Sequence, residues 1–487
     1  MIQMHAATED PGRTARSPAQ GRLLRELEAI VGKGNVLSRW RDLLAYSYDA
    51  TGERRLPDAV VFPDSTEQVS AVMKLAFREG RPIIPRGAGT NLSGGTLPLR
   101  GGIVLALARL NRVLEVDTAN LRVVVEPGVV NLDLQNVLAP LGYTFAPDPA
   151  SQKASTLGGN VGEDAGGPHC LKYGVTTNHV LGMELVLADG QVVQVGGPVE
   201  DNPGFDLTGL VVGSEGTLAV TTKLSLRLTR LPEAYQTMLA VFETLEDAGQ
   251  AVADIIAAGI VPGTLELMDK PILRAVEESV HVGFPTDAEA VLMIEVDGIR
   301  DDLAHQAERI SALCQQNHVR EVRLARTAAE RDGMWTGRRG AFGSVARVRP
   351  AYRQQDGTVP RTRLVEMLKR VRQIVAERNL MVGNVAHAGD GNLHPLIMYD
   401  DADPDETARV EEAGKAILAE CVRLGGTLTG EHGIGVEKRE LMPLLFTEQS
   451  LQAMKWAKEA FDPAGRLNPD KIFPLGGSTQ PAAEVTL

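Results

Sequence analysis

The chain has 487 residues, 43% of them apolar and 23% charged, with 50 basic against 63 acidic side chains and a formal net charge of −13. At ~150 residues per domain this length accommodates two or three globular domains, and the composition excludes a disordered, coiled-coil or collagen-like chain. So acidic a chain is ill suited to non-specific contact with phosphate backbones, which sets nucleic acid aside as a partner. The cysteines, Cys170, Cys314 and Cys421, lie far apart with no C-x-x-C pair. A disulfide framework, a four-cysteine zinc site and an iron–sulfur cluster held by this chain alone are therefore excluded, and a reducing compartment is expected. No apolar run is long enough to be a transmembrane segment. Residues 1–25 carry Pro11, Gly12 and Pro18 among charges, lack the apolar core of a signal peptide and read as a disordered tail. The expected location is cytoplasmic, with peripheral membrane association only through partners.

The first clear unit is a βαβ. Ala59 to Pro63 reads as a short buried strand, and Ser65 with Gln68 forms a capping box for a helix whose apolar face is Val69, Val72, Met73, Ala76 and Phe77. Gly80 ends that helix and Pro82 to Pro85 is the next strand. Strands recur at Gly102 to Leu107, Val113 to Asp117 and Leu121 to Glu126. Strands at Met183 to Leu187 and Gln191 to Val195 flank Asp189-Gly190, a hairpin signal, and an alternating strand runs from Val220 to Leu228. Pro232 closes the first domain. Beyond it come a helix near Leu245 to Ala258, strands Thr264 to Met268 and Ala290 to Val296, and a helix Asp302 to Asn317. Strands Met381 to His387 and Leu393 to Tyr399 precede a helix Asp405 to Leu424. These spacings predict an antiparallel sheet covered by helices. The segment Phe461 to Lys471 is too rich in turn formers to be helical.

Three glycine clusters interrupt the first domain. Arg86-Gly87-Ala88-Gly89-Thr90-Asn91-Leu92-Ser93-Gly94-Gly95 follows a buried strand, where a phosphate loop belongs. It fails the Rossmann fingerprint, since Leu92 stands at the third small position and no helix follows, and no Lys-Ser/Thr pair makes it a Walker loop. Successive glycine turns can still aim several backbone N–H groups at one anion. With the loops Gly158 to Gly162 and Gly213 to Gly216, they suggest one large ligand wrapped by all three; the alternative is three surface turns.

In the second half, His387 and His394 are joined by Ala-Gly-Asp-Gly-Asn-Leu, and Glu431-His432 lies in Thr-Gly-Glu-His-Gly. The turn chemistry between the histidines forbids a helix and favours two strands with a hairpin-like loop. Two histidines and a glutamate with an open position suit a catalytic divalent metal, zinc or manganese. The plainer alternative is that they are turn and core residues satisfying backbone groups.

Pro85 to Thr90, Gly158-Gly159-Asn160 and Gly213 to Leu218 together resemble the FAD-binding domain of the vanillyl-alcohol-oxidase/p-cresol-methylhydroxylase type. The second half resembles the C-terminal domain of FAD-linked D-2-hydroxy-acid dehydrogenases, through Trp335 to Arg339, Asp356-Gly357-Thr358, His387 to His394 and Gly430 to Gly435. The likeness spans roughly residues 35 to 475 and is similar in detail to the flavoprotein D subunits of bacterial glycolate oxidases. It implies an α+β fold: a two-subdomain FAD-binding domain over residues 26–232 and a substrate- and metal-binding domain over 233–440. A segment 441–475 returns to the flavin, and residues 476–487 form a flexible tail. It implies that Pro85, Arg86, Gly87, Ala88, Gly89, Thr90, Asn91, Gly94 and Gly95 cradle the FAD pyrophosphate. Pro147, Asp148, Gly158, Gly159, Asn160 and Gly162 hold the cofactor further along, and Glu215, Gly216, Leu218 and Asn468 meet its ribityl and ring end. Some relatives attach FAD through a loop histidine. Residues 83–97 contain neither His nor Cys, so non-covalent FAD is expected, and Cys170 is read as a buried structural thiol.

By the same resemblance His387, His394 and Glu431 coordinate a divalent metal beside the flavin, His432 is the base, and Arg338 or its neighbour Arg339 clamps the substrate carboxylate. The branch of the family acting on 2-hydroxyglutarate has a lysine at Gln354 and an asparagine at Leu396. The departure favours a small acid, glycolate or D-lactate. The expected activity is oxidation of such an acid as the catalytic subunit of a glycolate oxidase complex, alongside an iron–sulfur subunit and a second flavoprotein-like subunit. The alternatives are a free-standing D-lactate dehydrogenase using cytochrome or quinone, and a non-catalytic flavin subunit that relays electrons.

Overall fold

The computed structural model describes residues 17–199 and 203–476; most of the expected N-terminal tail, and the C-terminal tail from 477 on, lie outside the described residues. The N-terminal expectation is corrected where the description begins, because Pro18–Val31 is a helix with Ser17 Oγ as its N-cap. Leu23, Leu24, Leu27 and Val31 form one buried face against Val69, Val72 and Met73 of the helix Thr66–Glu79. Pro18 sits in the first turn, where its missing N–H would have had no intrahelical partner.

The βαβ unit forms as expected. Ala59–Val61 and Ile83–Arg86 flank Ile103–Ala106 as parallel partners, and Val36–Leu37 adds an antiparallel edge. Ser65 Oγ accepts from Gln68 N, but the Gln68 side chain accepts from Asp64 N, so the capping box closes one residue early. A second sheet of five antiparallel strands has the order Val113–Asp117, Arg122–Val125, Val220–Arg227, Val180–Val186, Val192–Gly196. Val220–Arg227 alternates buried and half-buried residues along its whole length, the signature of a strand with one face on a core.

The second half holds an eight-stranded sheet whose pairings are all antiparallel. Its main path runs Glu321–Leu324, Ala234–Phe242, Ala290–Gly298, Thr264–Asp269, Met381–His387, Asn392–Tyr399, Ala351–Gln354, and Gly357–Thr358 also pairs with Asn392–Tyr399. Side-chain alternation gives it two apolar faces. Met238, Ala240, Phe242, Leu265 and Leu267 pack under the helices Leu245–Ala257, Arg300–Gln316, Leu364–Ala376 and Pro404–Arg423. Leu239, Val241, Met268 and Val385 pack under Lys270–Val280 and Ala328–Val345. The second face is the one turned toward the glycine loops.

After the helix Glu448–Phe461 the chain returns to the first domain. Leu467 bridges Ile83 in parallel and is buried in that domain's core. Asn468 N donates to Ile83 O at 2.7 Å, and Lys471 Nζ donates to Leu97 O at 2.6 Å.

Candidate active site

A cavity of about 740 Å³ lies between the two domains. Its floor comes from the glycine segments of the first domain and its roof from the helix Ala328–Val345 and the His/Glu cluster of the second. Of the residues expected to meet FAD, Pro85 to Asn91, Gly95, Asp148, Gly158, Gly159, Asn160, Gly162, Glu215 and Gly216 line it. Gly94, Pro147, Leu218 and Asn468 do not. Asn468 stands behind the wall, its Nδ2 donating to Gly95 O (2.8 Å) and Glu215 O (2.7 Å), so it ties two cavity loops together.

The segment read as a second loop is a short helix, Leu157–Glu163, in spite of three glycines. Thr156 Oγ1 caps it by accepting from Gly159 N, and Leu157 and Val161 are buried, so tertiary packing overrides low helix propensity. Side chains are excluded here for lack of room: a Cβ on Gly158 would lie 2.5 Å from Pro127 Cβ, and one on Gly87 would collide with Thr156 Oγ1. At the third loop Gly213, Glu215 and Gly216 all have positive φ. Several buried polar atoms around this space have no protein partner: Asp148 Oδ1, Ser155 Oγ, Asn160 Nδ2, Glu163 Oε2 and Glu215 Oε2. Buried polar groups are normally satisfied, so a polar ligand on this floor fits what the chain leaves open.

The roof follows from strand register. Met381–His387 and Asn392–Tyr399 form a hairpin, with Glu266 paired to His387 and Val385 to His394. Alternation therefore puts Glu266, His387 and His394 on one sheet face, toward the cavity. His387 Nε2 and His394 Nε2 lie 3.4 and 3.1 Å from Glu431 Oε1, and the three ligand atoms all lie within 4.8 Å of one another. Burial opposes charge on His387, but Glu266 and Glu431 outweigh it and hold its pKa well above the ordinary value. Glu431 goes the other way: against burial, the two histidines hold its pKa well below the usual carboxylate range. Two imidazoles and a carboxylate converging with one side open are a donor set that fits a divalent ion.

Glu431 and His432 sit on an irregular loop that Asp356 organises. Asp356 Oδ2 accepts from Thr429 Oγ1 (2.6 Å), Gly430 N (3.1 Å), His432 N (2.9 Å) and Lys438 Nζ (3.0 Å). His432 Nδ1 is 4.0 Å from the same oxygen, and its Nε2 accepts from the Gln354 side-chain amide at 3.2 Å. Burial, helped by His394 and Lys438 and opposed by Asp356, pushes the His432 pKa down to about 4. Leu396, paired with Gln354 across the strands, is fully buried in the core with Met268 and Val385 and does not line the cavity. The departure from the 2-hydroxyglutarate branch at Leu396 therefore does not act by lining the cavity.

Arg338 and Arg339 both line the cavity. Arg338 is buried and bonded to Glu266, while Arg339 is exposed, lies over the Trp335 ring at 4.9 Å and has no ion pair among the described residues. Beside them His169 stacks on Trp335, with Nδ1 2.8 Å from Asp148 Oδ2 and Nε2 3.9 Å from Glu295 Oε1. Burial alone would keep that imidazole neutral, but the two carboxylates bring its pKa up to about 10. Cys170 is half-buried rather than buried. Glu266, Glu295 and Glu163 were not singled out in the sequence, and Asp356 stood out there only within the Asp356-Gly357-Thr358 motif, with no role attached. Glu266 left a trace there, as an acid at an inward position of an apolar strand.

The family of FAD linked oxidases, C-terminal domain, matches residues 231–472, and that of the FAD binding domain matches residues 57–196. Glycolate oxidase subunit GlcD of Escherichia coli K12 is 44% identical over 440 residues, covering 90% of this chain and 88% of the relative. GlcD of Bacillus subtilis is 42% identical over 443 residues, covering 91% and 94%. A probable mitochondrial D-lactate dehydrogenase of Danio rerio is 30% identical over 469 residues, covering 95% and 94%. Among solved structures, p-cresol methylhydroxylase superposes with a TM-score of 0.79 at 17% identity, covering 96% of this chain and 99% of that one. The 4-ethylphenol oxidase of Gulosibacter chungangensis gives 0.77 at 20%, covering 95% and 99%. These two establish the fold: α+β, of the vanillyl-alcohol-oxidase/p-cresol-methylhydroxylase type. On domain matches and relatives together, the chain belongs to the FAD-linked oxidases and is an FAD-linked oxidoreductase.

Proposed function

We propose that this chain oxidises a small 2-hydroxy acid, glycolate or D-lactate, to the 2-oxo acid, as the catalytic subunit of a glycolate oxidase complex. The observation that carries the reading is the meeting of His387, His394, Glu431 and His432 on one wall of the cavity whose other wall is the glycine-lined floor. The names of the relatives, glycolate oxidase subunit and D-lactate dehydrogenase, support it.

The floor residues Gly87 to Asn91, Asn160 and Glu215 hold FAD, which when bound accepts the hydride from the substrate carbon. With neither His nor Cys in residues 83–97, that grip is non-covalent. His387, His394 and Glu431 hold a divalent ion, zinc or manganese, which when bound lowers the pKa of the substrate hydroxyl as a Lewis acid. His432, neutral at physiological pH, takes the hydroxyl proton at Nε2 once the substrate displaces the Gln354 amide from that nitrogen, and Asp356 behind Nδ1 offsets the charge that develops. Arg338 offers its free Nη1 to the carboxylate, and the unpaired Arg339 supplies a second cation at the cavity edge. Trp335 and Phe342 close the roof against water.

Electrons must then leave the chain. Its three separated cysteines hold no cluster, so an iron–sulfur subunit and a second flavoprotein-like subunit are the proposed partners, and any membrane association runs through them. No described helix is long and apolar enough to cross a membrane. The test is anaerobic addition of glycolate or D-lactate to the purified FAD-loaded chain. Bleaching of the flavin supports the reading; bound FAD that neither acid bleaches would leave only an electron-relay subunit. Turnover with D-lactate and a cytochrome or quinone acceptor, without partner subunits, would favour the free-standing dehydrogenase.

A further inference from the structure

Glu266 is a carboxylate with no solvent exposure, midway along the strand Thr264–Asp269. Its two oxygens are divided between two cavity residues. Oε1 accepts from His387 Nδ1 at 2.7 Å, and Oε2 accepts from Arg338 Nε at 2.7 Å with Nη2 at 2.5 Å. The arrangement has two geometric consequences. With Nδ1–H committed to Glu266, the other ring nitrogen of His387 is the one turned to Glu431. With Nε and Nη2 committed to Glu266, the nitrogen of Arg338 left without a partner among the described residues is Nη1, on a residue that lines the cavity.

We propose that Glu266 is a positioning residue that couples cation binding at His387 to recognition of the substrate carboxylate by Arg338. The inference rests on the reading of His387, His394 and Glu431 as a divalent-metal site. A carboxylate on the far nitrogen of a metal-ligating imidazole fixes its tautomer and ring orientation and raises its basicity. The same carboxylate holds the arginine fork in one plane, so the ligand nitrogen and the free guanidinium edge keep a fixed separation. A 2-hydroxy acid presents its hydroxyl and its carboxylate at a fixed separation too. The bridge is a ruler for that spacing. A glutamine at this position has one acceptor oxygen and one N–H₂ group, so it can accept from either partner but not from both.

The experiment uses FAD-loaded full-length protein and measures the affinity for Zn²⁺ alone, by competition with a chelator, and the KM and kcat for glycolate. The proteins are the wild type, Glu266→Gln, Glu266→Asp and Glu431→Ala. Glu266→Gln is expected to keep the flavin spectrum, to weaken Zn²⁺ binding on the order of 10–100-fold, and to raise KM when Zn²⁺ is saturating. A residue that only fills the core would lower thermal stability and leave Zn²⁺ affinity and KM alone. Glu266→Asp, which retains the buried charge but is one methylene too short to reach both partners, is expected to lose either affinity or KM and not recover both. It carries the test if the glutamine variant does not fold. Wild-type Zn²⁺ affinity and KM in a folded Glu266 variant overturn the inference by itself. A wild type that binds no Zn²⁺, or binds it no better than Glu431→Ala, overturns the metal reading and this inference with it.

Discussion

The imidazoles of His394 and His432 lie parallel, ring centroids 5.3 Å apart and planes within 10° of each other, although one sits on a strand and the other on a loop. Burial is the main reason that the His432 pKa lies low and its imidazole stays neutral, with His394 and Lys438 acting in the same direction. Replacing His432 by Asn is expected to slow flavin reduction by roughly 10²–10⁴-fold, the usual worth of a general base, with bound metal unchanged. Anaerobic stopped-flow combined with elemental analysis separates those two readouts.

Alanine at His387, His394 or Glu431 is expected to remove the metal and most of the activity while the FAD spectrum stays nearly constant. The three ligands come from the second domain, whereas the glycine segments lie in the first. Losing one of three protein ligands weakens an open site strongly, and loss of Lewis-acid assistance costs orders of magnitude in rate. Full activity in the His387 variant, or in wild type after rigorous chelation, would make the cluster structural.

Acid or heat treatment of the yellow protein is expected to release intact FAD into the supernatant. Flavin co-migrating with the denatured polypeptide on a gel would overturn the non-covalent reading and place the attachment outside residues 83–97, which hold neither histidine nor cysteine.

On the proposed small-acid reading, substrate choice turns on Gln354, whose amide lines the cavity and donates to His432. A neutral amide gives a second substrate carboxylate no charged partner. The kcat/KM for glycolate or D-lactate is therefore expected to exceed that for D-2-hydroxyglutarate by at least tenfold, the ratio that ~1.4 kcal/mol of lost pairing supplies. The reverse order would remove the small-acid assignment.

His169 gives the fold a defined pH dependence. Its folded pKa, about 10, stands above the ~6.5 of a free imidazole. Below pH 6.5 both folded and unfolded chains carry the proton, and the contribution of the Asp148 and Glu295 contacts is fully present. Between about 6.5 and 10 the folded state binds the extra proton, so stability falls as pH rises. Thermal melts from pH 6.5 to 10 are expected to show a decline that His169→Gln flattens. An equal decline in both proteins would assign it to other groups.

Much of this architecture was legible because its periodicities are strong. Val220–Arg227 reads as a strand from its own alternation, and the turn Gly389-Asp390-Gly391 forces the hairpin that brings His387 and His394 together. What was not legible depended on partners distant in the chain. The helix Leu157–Glu163 forms against glycine propensity because Thr156 caps it and core residues cover it. Glu266 gains its role only from the register that sets it opposite His387, and Asp356 only from the backbone N–H groups that converge on it. Leu396 misled because its place in the chain, two residues past His394, says nothing of which neighbours cover it.

The return of Leu467 and Asn468 to Ile83 makes the flavin domain discontinuous along the chain. As the protein is synthesised, the first domain emerges early with the edge beside Ile83 unfinished and Gly95 and Glu215 not yet tied. The piece that completes it is made only after the entire second domain. A fragment ending at Pro232 therefore lacks the residues that close the edge beside Ile83 and tie Gly95 to Glu215. Moving residues 462–472 ahead of the first strand by circular permutation would make that half contiguous along the chain.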